Sequence, residues 1–245
     1  VEWQENGYIL NARSHGETSA IISVFTRARG HHQGLVRGGR SKRQRPVLQP
    51  GNYVSLSWRA RLEDHLGAFT LEPIELKAAS ILDERAALAG LQVLCSLPML
   101  LPERNPYPRL YDTFEHVLSA LFGASGEAED HIWPALLVSF ELGFLSELGF
   151  GLDLSSCAAC GSKENLIYVS PKSGRAVSQA EGEPYKDKLF KLPTFLREDG
   201  AKNPTKQDIL DGFTLTGYFL NRNIYEPRNK LEPEARTRMI KLLSR

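Results

Sequence analysis

The hydrophobic period of this chain changes once, near residue 82, from the two-residue alternation of strands to the longer repeat of helices, so one fold must join both styles. Within 7–76, runs rich in β-branched and aromatic residues predict strands at 7–13, 20–27, 31–37, 52–60 and 66–74. Turn residues punctuate them at His15-Gly16, Arg29-Gly30, Gly38-Gly39, Pro50-Gly51 and Glu63-Asp64. Five strands in about seventy residues, with no helical repeat among them, predict a closed or nearly closed barrel of the OB type. In the fourth, Val54, Leu56 and Trp58 share one face. Tyr53, Ser55, Ser57 and Arg59 share the other, which Arg61 continues if the strand extends. Trp58 is therefore expected in the barrel core, and Tyr53 is the better candidate for stacking on a nucleic-acid base.

Beyond residue 82 a first helix is expected over 84–101, ended or kinked by Pro98. In a second, Leu110, Phe114, Val117, Leu118, Leu121 and Phe122 form one apolar face. GASG at 123–126 breaks it. A third helix at 129–148 is apolar on most sides, with Glu141 and Glu147 expected at its ends or edges rather than as an acid/base pair. Residues 153–184 read as turns. Thr205 and Asp208 resemble a capping box, and Pro233 is placed to open a last helix. The fold class is α+β: an N-terminal five-stranded OB-fold barrel, then an α-helical domain with a small zinc-knuckle-like turn region. Expected domains are a DNA-binding barrel at 1–80, a helical domain at 81–150, a CxxC-containing insertion at 151–190 and C-terminal helices at 191–245 that pack on the helical domain.

Charge is segregated along the sequence. The chain holds 30 Lys+Arg and 29 Asp+Glu, yet the 45 residues from Thr18 to Leu62 carry nine cations and no acidic residue. Five of these are Arg37, Arg40, Lys42, Arg43 and Arg45, on what reads as a mobile, glycine-rich loop between two strands. With Arg59 and Arg61 on the neighbouring strand they make a footprint for a phosphate backbone, and Tyr53 completes the expected site. The C-terminal stretch 222–245, with seven basic and three acidic residues, reads as a solvated helix face.

Other chemistry finds little support. GLVRGGRS at 34–41 has the outline of a phosphate-binding loop, but LysArgGlnArgPro follows where a helix would have to begin. The six histidines are scattered, with no HExxH pair, and no GxSxG elbow occurs. Cys157 and Cys160 form half a zinc knuckle, yet no cysteine follows Cys160 and no histidine follows His131. A metal-free turn ranks first there, zinc second and thiol chemistry last. Cys95, on an apolar helix, reads as core. No enzyme is expected and no cofactor. Three cysteines without a disulfide framework, no leader-like start and an apolar stretch at 136–152 interrupted by Glu141 and Glu147 predict a cytoplasmic protein with no membrane partner.

The segments HGETSA at 15–20, GLVRGGRS at 34–41, LQPGN at 48–52, GLDLSSCAACG at 151–161 and YVSPKSGRAV at 168–177 resemble the bacterial RecO family of recombination mediators. The resemblance runs nearly end to end. It implies an OB-fold, a helical body and, in many members, a zinc module with two CxxC pairs; here SQAE at 178–181 stands where the second pair would be. It also implies binding of single- and double-stranded DNA, annealing of complementary strands, and work with RecR to replace single-strand binding protein by RecA. The C-terminal tail of single-strand binding protein and, indirectly, RecA would then be partners, and the location nucleoid-associated. The alternative is an RNA-binding OB-fold protein of translation or RNA processing, which explains neither the helical body nor the later motifs.

Overall fold

Strand β1 (Glu2–His15) is long enough to serve two partners. Residues 2–8 pair antiparallel with β4 (Tyr53–Arg59), Trp3 opposite Trp58, and residues 7–15 with β2 (Ser19–Thr26), in a ladder that carries an irregularity between Ile9 and Asn11. Such a bulge lets one strand turn from one neighbour to the next. β2 continues antiparallel into β3 (Gly30–Val36), and β4 into β5 (Ala68–Glu75). The barrel closes in the order β1-β2-β3-β5-β4. Its thinnest seam is β3 against β5, a parallel contact at Leu35 and Ala68.

Alternation places the core. Val54, Leu56 and Trp58 are fully buried, as their shared face predicts, and meet Ile9, Ile22, Val24 and Phe69 inside the barrel. The Trp58 indole N–H donates to the Leu66 carbonyl at 3.0 Å. Beside it Gly67 has φ +64°, and a Cβ there would lie 2.4 Å from the indole, so only glycine lets the β4–β5 connection close over the ring.

The computed structural model describes residues 1–123, 132–197 and 203–245. They fall into two units, Val1–Gly126 and Glu127–Arg245. In the first, α1 (Arg85–Ser96) and α2 (Pro108–Gly123) follow the barrel, with Pro98 starting a 3₁₀ turn after α1. Phe114 of α2 meets Tyr8 and Phe25 on the barrel's outer face at 5.5 and 5.4 Å, and the Tyr8 hydroxyl donates to Glu115 at 3.1 Å. The aromatic face of α2 is thus the barrel's cover. The break expected at 123–126, from residue 124 on, the helix start expected at 129, and His131 lie outside the described residues.

In the second unit α3 (Ile132–Glu147) is apolar almost all round. It is followed by β6 (Leu166–Val169), β7 (Ala176–Ser178), the single turn α4 (Gln179–Gly182) and β8 (Phe190–Lys191), then α5 (Lys206–Leu220) and α6 (Glu234–Leu243). The three strands form a sheet in the order β7-β6-β8, and its first two lie within 153–184, where the sequence reads as turns. Strands of four, three and two residues are too short to show a period. The Thr205–Asp208 capping box opens α5 as predicted. Glu141 corrects the expectation of an edge position: it is fully buried, and its carboxylate takes two hydrogen bonds from Arg236 at 2.8 and 3.0 Å and one from Thr216. Among the described residues no helix is long and apolar enough to cross a membrane.

Candidate nucleic-acid interface

The basic segment after β3 is not an open loop. Ser41 donates its backbone N–H to Gly38, and Gln44 and Arg45 both donate to Ser41, so that turn follows turn. The chain then buries Val47 and Leu48 in the barrel's apolar cluster, which pins the segment at its far end. Asn52 locks the base, its side-chain amide donating to the carbonyls of Pro46 and Val47 at 2.8 and 3.2 Å. Two apolar residues after a run of cations are the sequence signal for this anchor. The P-loop outline at 34–41 runs from strand into these turns, not into a helix.

The nine cations of the acid-free segment part into two groups. Arg27 is bound by Asp112 of α2 through two hydrogen bonds of 2.9 and 3.1 Å, and this contact holds the Asp112 carboxyl below its usual range. Arg29 lies 4.9 Å over the Trp3 ring. The other seven, Arg37, Arg40, Lys42, Arg43, Arg45, Arg59 and Arg61, are exposed, and none forms an ion pair among the described residues. Cations without ion-pair partners, gathered on one segment, concentrate positive potential there.

These cations border two depressions on opposite sides of the turn. Arg37, Arg59 and Arg61 line a groove of about 880 Å³ along the β3/β5 seam, together with Gln44, the edge of Phe69 and one carboxylate, Glu2, which stands opposite Arg59 in the sheet. Arg40 and Arg45 line a smaller one of about 200 Å³, joined by Arg13 from β1. Arg40 also donates to the Gly16 carbonyl at 2.9 Å, which fixes its guanidinium over the β1–β2 turn. Lys42 and Arg43 stand exposed on the ridge and line neither. Arg13 escapes the charge count because Glu17 separates it from the acid-free run. The signal that finds it is alternation: Asn11 and Arg13 flank half-buried Ala12 and so face outward.

Tyr53 sits elsewhere. It shares the outer face of β4 with Arg59, but six residues and about 20 Å of extended chain separate them. Its ring lies 4.7 Å from Tyr8, at the end of the barrel that α2 covers. The aromatic ring lining either groove is Phe69, 4% exposed. What the grooves offer a ligand is guanidinium groups, side-chain amides and hydroxyls, with the Glu2 carboxylate in the larger one, not stacking faces.

At the other motif, Cys157 is buried and Cys160 exposed on a tight turn whose Gly161 has φ +73°. The turn rests on β7, where Ser178 donates its backbone N–H to the Cys157 sulfur at 3.3 Å and its hydroxyl lies 3.8 Å from the Cys160 sulfur. Burial alone would raise the Cys157 thiol; hydrogen bonds from the Ser178 hydroxyl and amide, and from the Cys160 and Ala159 amides, bring it down to about 6. Ser178 therefore meets both sulfurs where further thiolates would be needed to complete a tetrahedral site. No group of three or more His, Cys, Asp or Glu side chains able to hold a metal occurs among the described residues.

Comparison with known proteins matches the chain in two parts. Residues 1–76 fit the family described as Recombination protein O N terminal, and residues 82–232 the one described as Recombination protein O C terminal. The chain is 50% identical over 246 residues to DNA repair protein RecO of Methylobacterium nodulans, covering 99% of this chain and 98% of that protein. It is 51% identical over 247 residues to the protein of the same name from Rhodopseudomonas palustris, covering 100% and 97%. A third relative so named, from Mesorhizobium japonicum, is 50% identical over 236 residues, covering 96% and 91%.

Proposed function

Because the chain belongs to the RecO family of DNA repair proteins, we propose that its amino-terminal barrel binds DNA through phosphates and anneals complementary strands, without a catalytic step. One observation carries this reading: the arginines that line the grooves beside the 37–45 turn form no ion pair among the described residues, and the grooves present no exposed aromatic face. A protein that holds single strands by stacking their bases opposes pairing, because the base faces and edges are occupied. One that holds the backbone alone leaves the bases free. Neutralising phosphates also lowers the repulsion between two strands, which is the barrier to annealing in dilute salt.

Sites and partners follow at a finer level. Arg37, Arg40, Lys42, Arg43, Arg45, Arg59 and Arg61 are the proposed contacts, with Arg13 added; Tyr53, turned toward Tyr8, is not retained. Cooperation with RecR, capture of the acidic tail of single-strand binding protein and loading of RecA are proposed on family membership, as is a place near the nucleoid. The Cys157–Cys160 turn is proposed to work without zinc. The RNA-processing alternative gains nothing from relatives whose names specify DNA repair.

The test is a salt series. Fluorescence anisotropy of a labelled single-stranded oligonucleotide should give a steep fall of affinity with salt. Replacing Arg37, Arg59 and Arg61 by glutamine should lower affinity and flatten the slope of log K against log salt by about 2, the share of three phosphates on a single strand. An unchanged slope would remove the groove from the binding surface.

A further inference from the structure

The two depressions share no lining residue, and the hydrogen-bonded turn contributes residues to both. Gln44 faces the larger groove while its neighbour Arg45 faces the smaller. Lys42 and Arg43 project from the crest. We propose that the smaller depression, built by Arg13, Arg40 and Arg45, is a second phosphodiester track that holds a second strand beside the one in the Arg37–Arg59–Arg61 groove. The inference rests on the DNA-binding reading above and adds a site and a strand count to it.

Its physical basis is the range of charge. Two backbones brought within a Debye length, about 10 Å at 0.1 M salt, repel unless cations stand between them. A single cationic groove neutralises one backbone and leaves the second to approach an uncompensated charge. Here the sequence supplies cations to both flanks and to the crest, and the smaller depression is lined by no acidic residue. Its remaining polar groups, Asn11, Ser14 and Gln49, suit phosphate and sugar oxygens. Arg13 comes from β1 and Arg45 from the turn, so the track is assembled by the fold and not by one run of sequence. The guanidinium of Arg40, held by Gly16, cannot swing to the larger groove without giving up that hydrogen bond.

The experiment uses the full chain and three proteins: wild type, R13E/R45E and R37E/R59E/R61E. Arg40 is left alone because its bond to Gly16 supports the β1–β2 turn. Donor- and acceptor-labelled oligothymidylates of about 12 nucleotides, which cannot pair with each other, are mixed with protein at one chain to two strands. A dilution series removes bridging by two chains. Annealing of a separate complementary pair is followed in parallel. Wild type should show energy transfer. R13E/R45E should lower affinity for one oligonucleotide by less than R37E/R59E/R61E does, lose the transfer and anneal at least about tenfold more slowly.

Retention of energy transfer by R13E/R45E would overturn the second track. So would a loss of single-oligonucleotide binding as large as the loss of annealing, which would mean one continuous site. If R37E/R59E/R61E keeps full affinity for one strand, the larger groove is not a strand track, and the two-track arrangement fails; if wild type binds no oligonucleotide, the DNA-binding reading itself fails. Should charge reversal at Arg13 and Arg45 lower the melting temperature, R13Q/R45Q supplies the same comparison with less perturbation, because both side chains are exposed.

Discussion

Arg236 is 3% exposed and still carries its charge, because Glu141 takes two of its N–H groups, Glu232 a third at 2.8 Å, and the Phe213 carbonyl a further bond at 2.8 Å. Burial disfavours the guanidinium, but the Glu141 and Glu232 carboxylates outweigh it and hold the group firmly protonated. Arg236→Ala would leave a carboxylate buried without a counter-charge, and urea unfolding should show a loss of about 3–5 kcal/mol. The pair replaced together, Glu141→Leu with Arg236→Met, should recover most of it. A double variant no better than the single would show that the pair is not an isolated unit. His32 works by a different sign. It is buried among Trp3, Trp58 and Phe69; burial first, then the charges of Arg104 and Arg29, lower it to about 4 from 6.5. The unfolded chain therefore binds the extra proton between these values. Stability from this group is complete above pH 6.5 and is lost as pH falls toward 4, by on the order of 3 kcal/mol. His31, also lowered chiefly by burial, adds to the same slope. Unfolding free energies measured from pH 7.5 down to about 4.5 should fall, and His32→Phe should reduce the slope by about one proton. An identical slope in the variant would assign the effect to other groups.

At the scale of elements, the 37–50 turn shows how much a charge pattern reveals and where it stops. The barrel was legible because alternation in β4 marks Val54, Leu56 and Trp58 as inward, and that face is buried throughout. The cationic run was legible as composition. Its geometry was not, because both the burial of Val47 and Leu48, which anchors it, and the choice of which arginines meet depend on β3, β4 and β5 lying side by side. Tyr53 and Arg59 share a face in the sequence, yet facing alone says nothing of distance along the strand. The sheet β7-β6-β8 and the buried ion pair at Glu141 rest on contacts between residues far apart in the chain, which no local period encodes. The anchor gives an element-level prediction. Leu48→Ala removes packing under the turn without altering a cation, so it should destabilise the protein by about 2–4 kcal/mol. It should also weaken single-strand binding severalfold under conditions where the protein stays folded, measured by anisotropy against a thermal-melt control. Full affinity with the expected destabilisation would mean that the turn keeps its form without its apolar foot.

Across the whole molecule the charges nearly cancel, +1 at pH 7, with a sequence pI of about 7.9. A partner sensing only net charge would be released as pH passes that value. The proposed surface consists of arginines with one lysine. Affinity for single-stranded DNA at constant ionic strength should therefore change by less than about twofold from pH 7 to 9, although the protein as a whole turns negative; a rise from about 50 to 200 mM salt should lower it by more than tenfold. The two titrations separate a local phosphate-binding surface from a diffuse attraction. If affinity instead follows net charge, falling as the pI is crossed, the segregated cations at 37–61 do not hold the DNA, and the strand tracks beside the turn lose their physical basis.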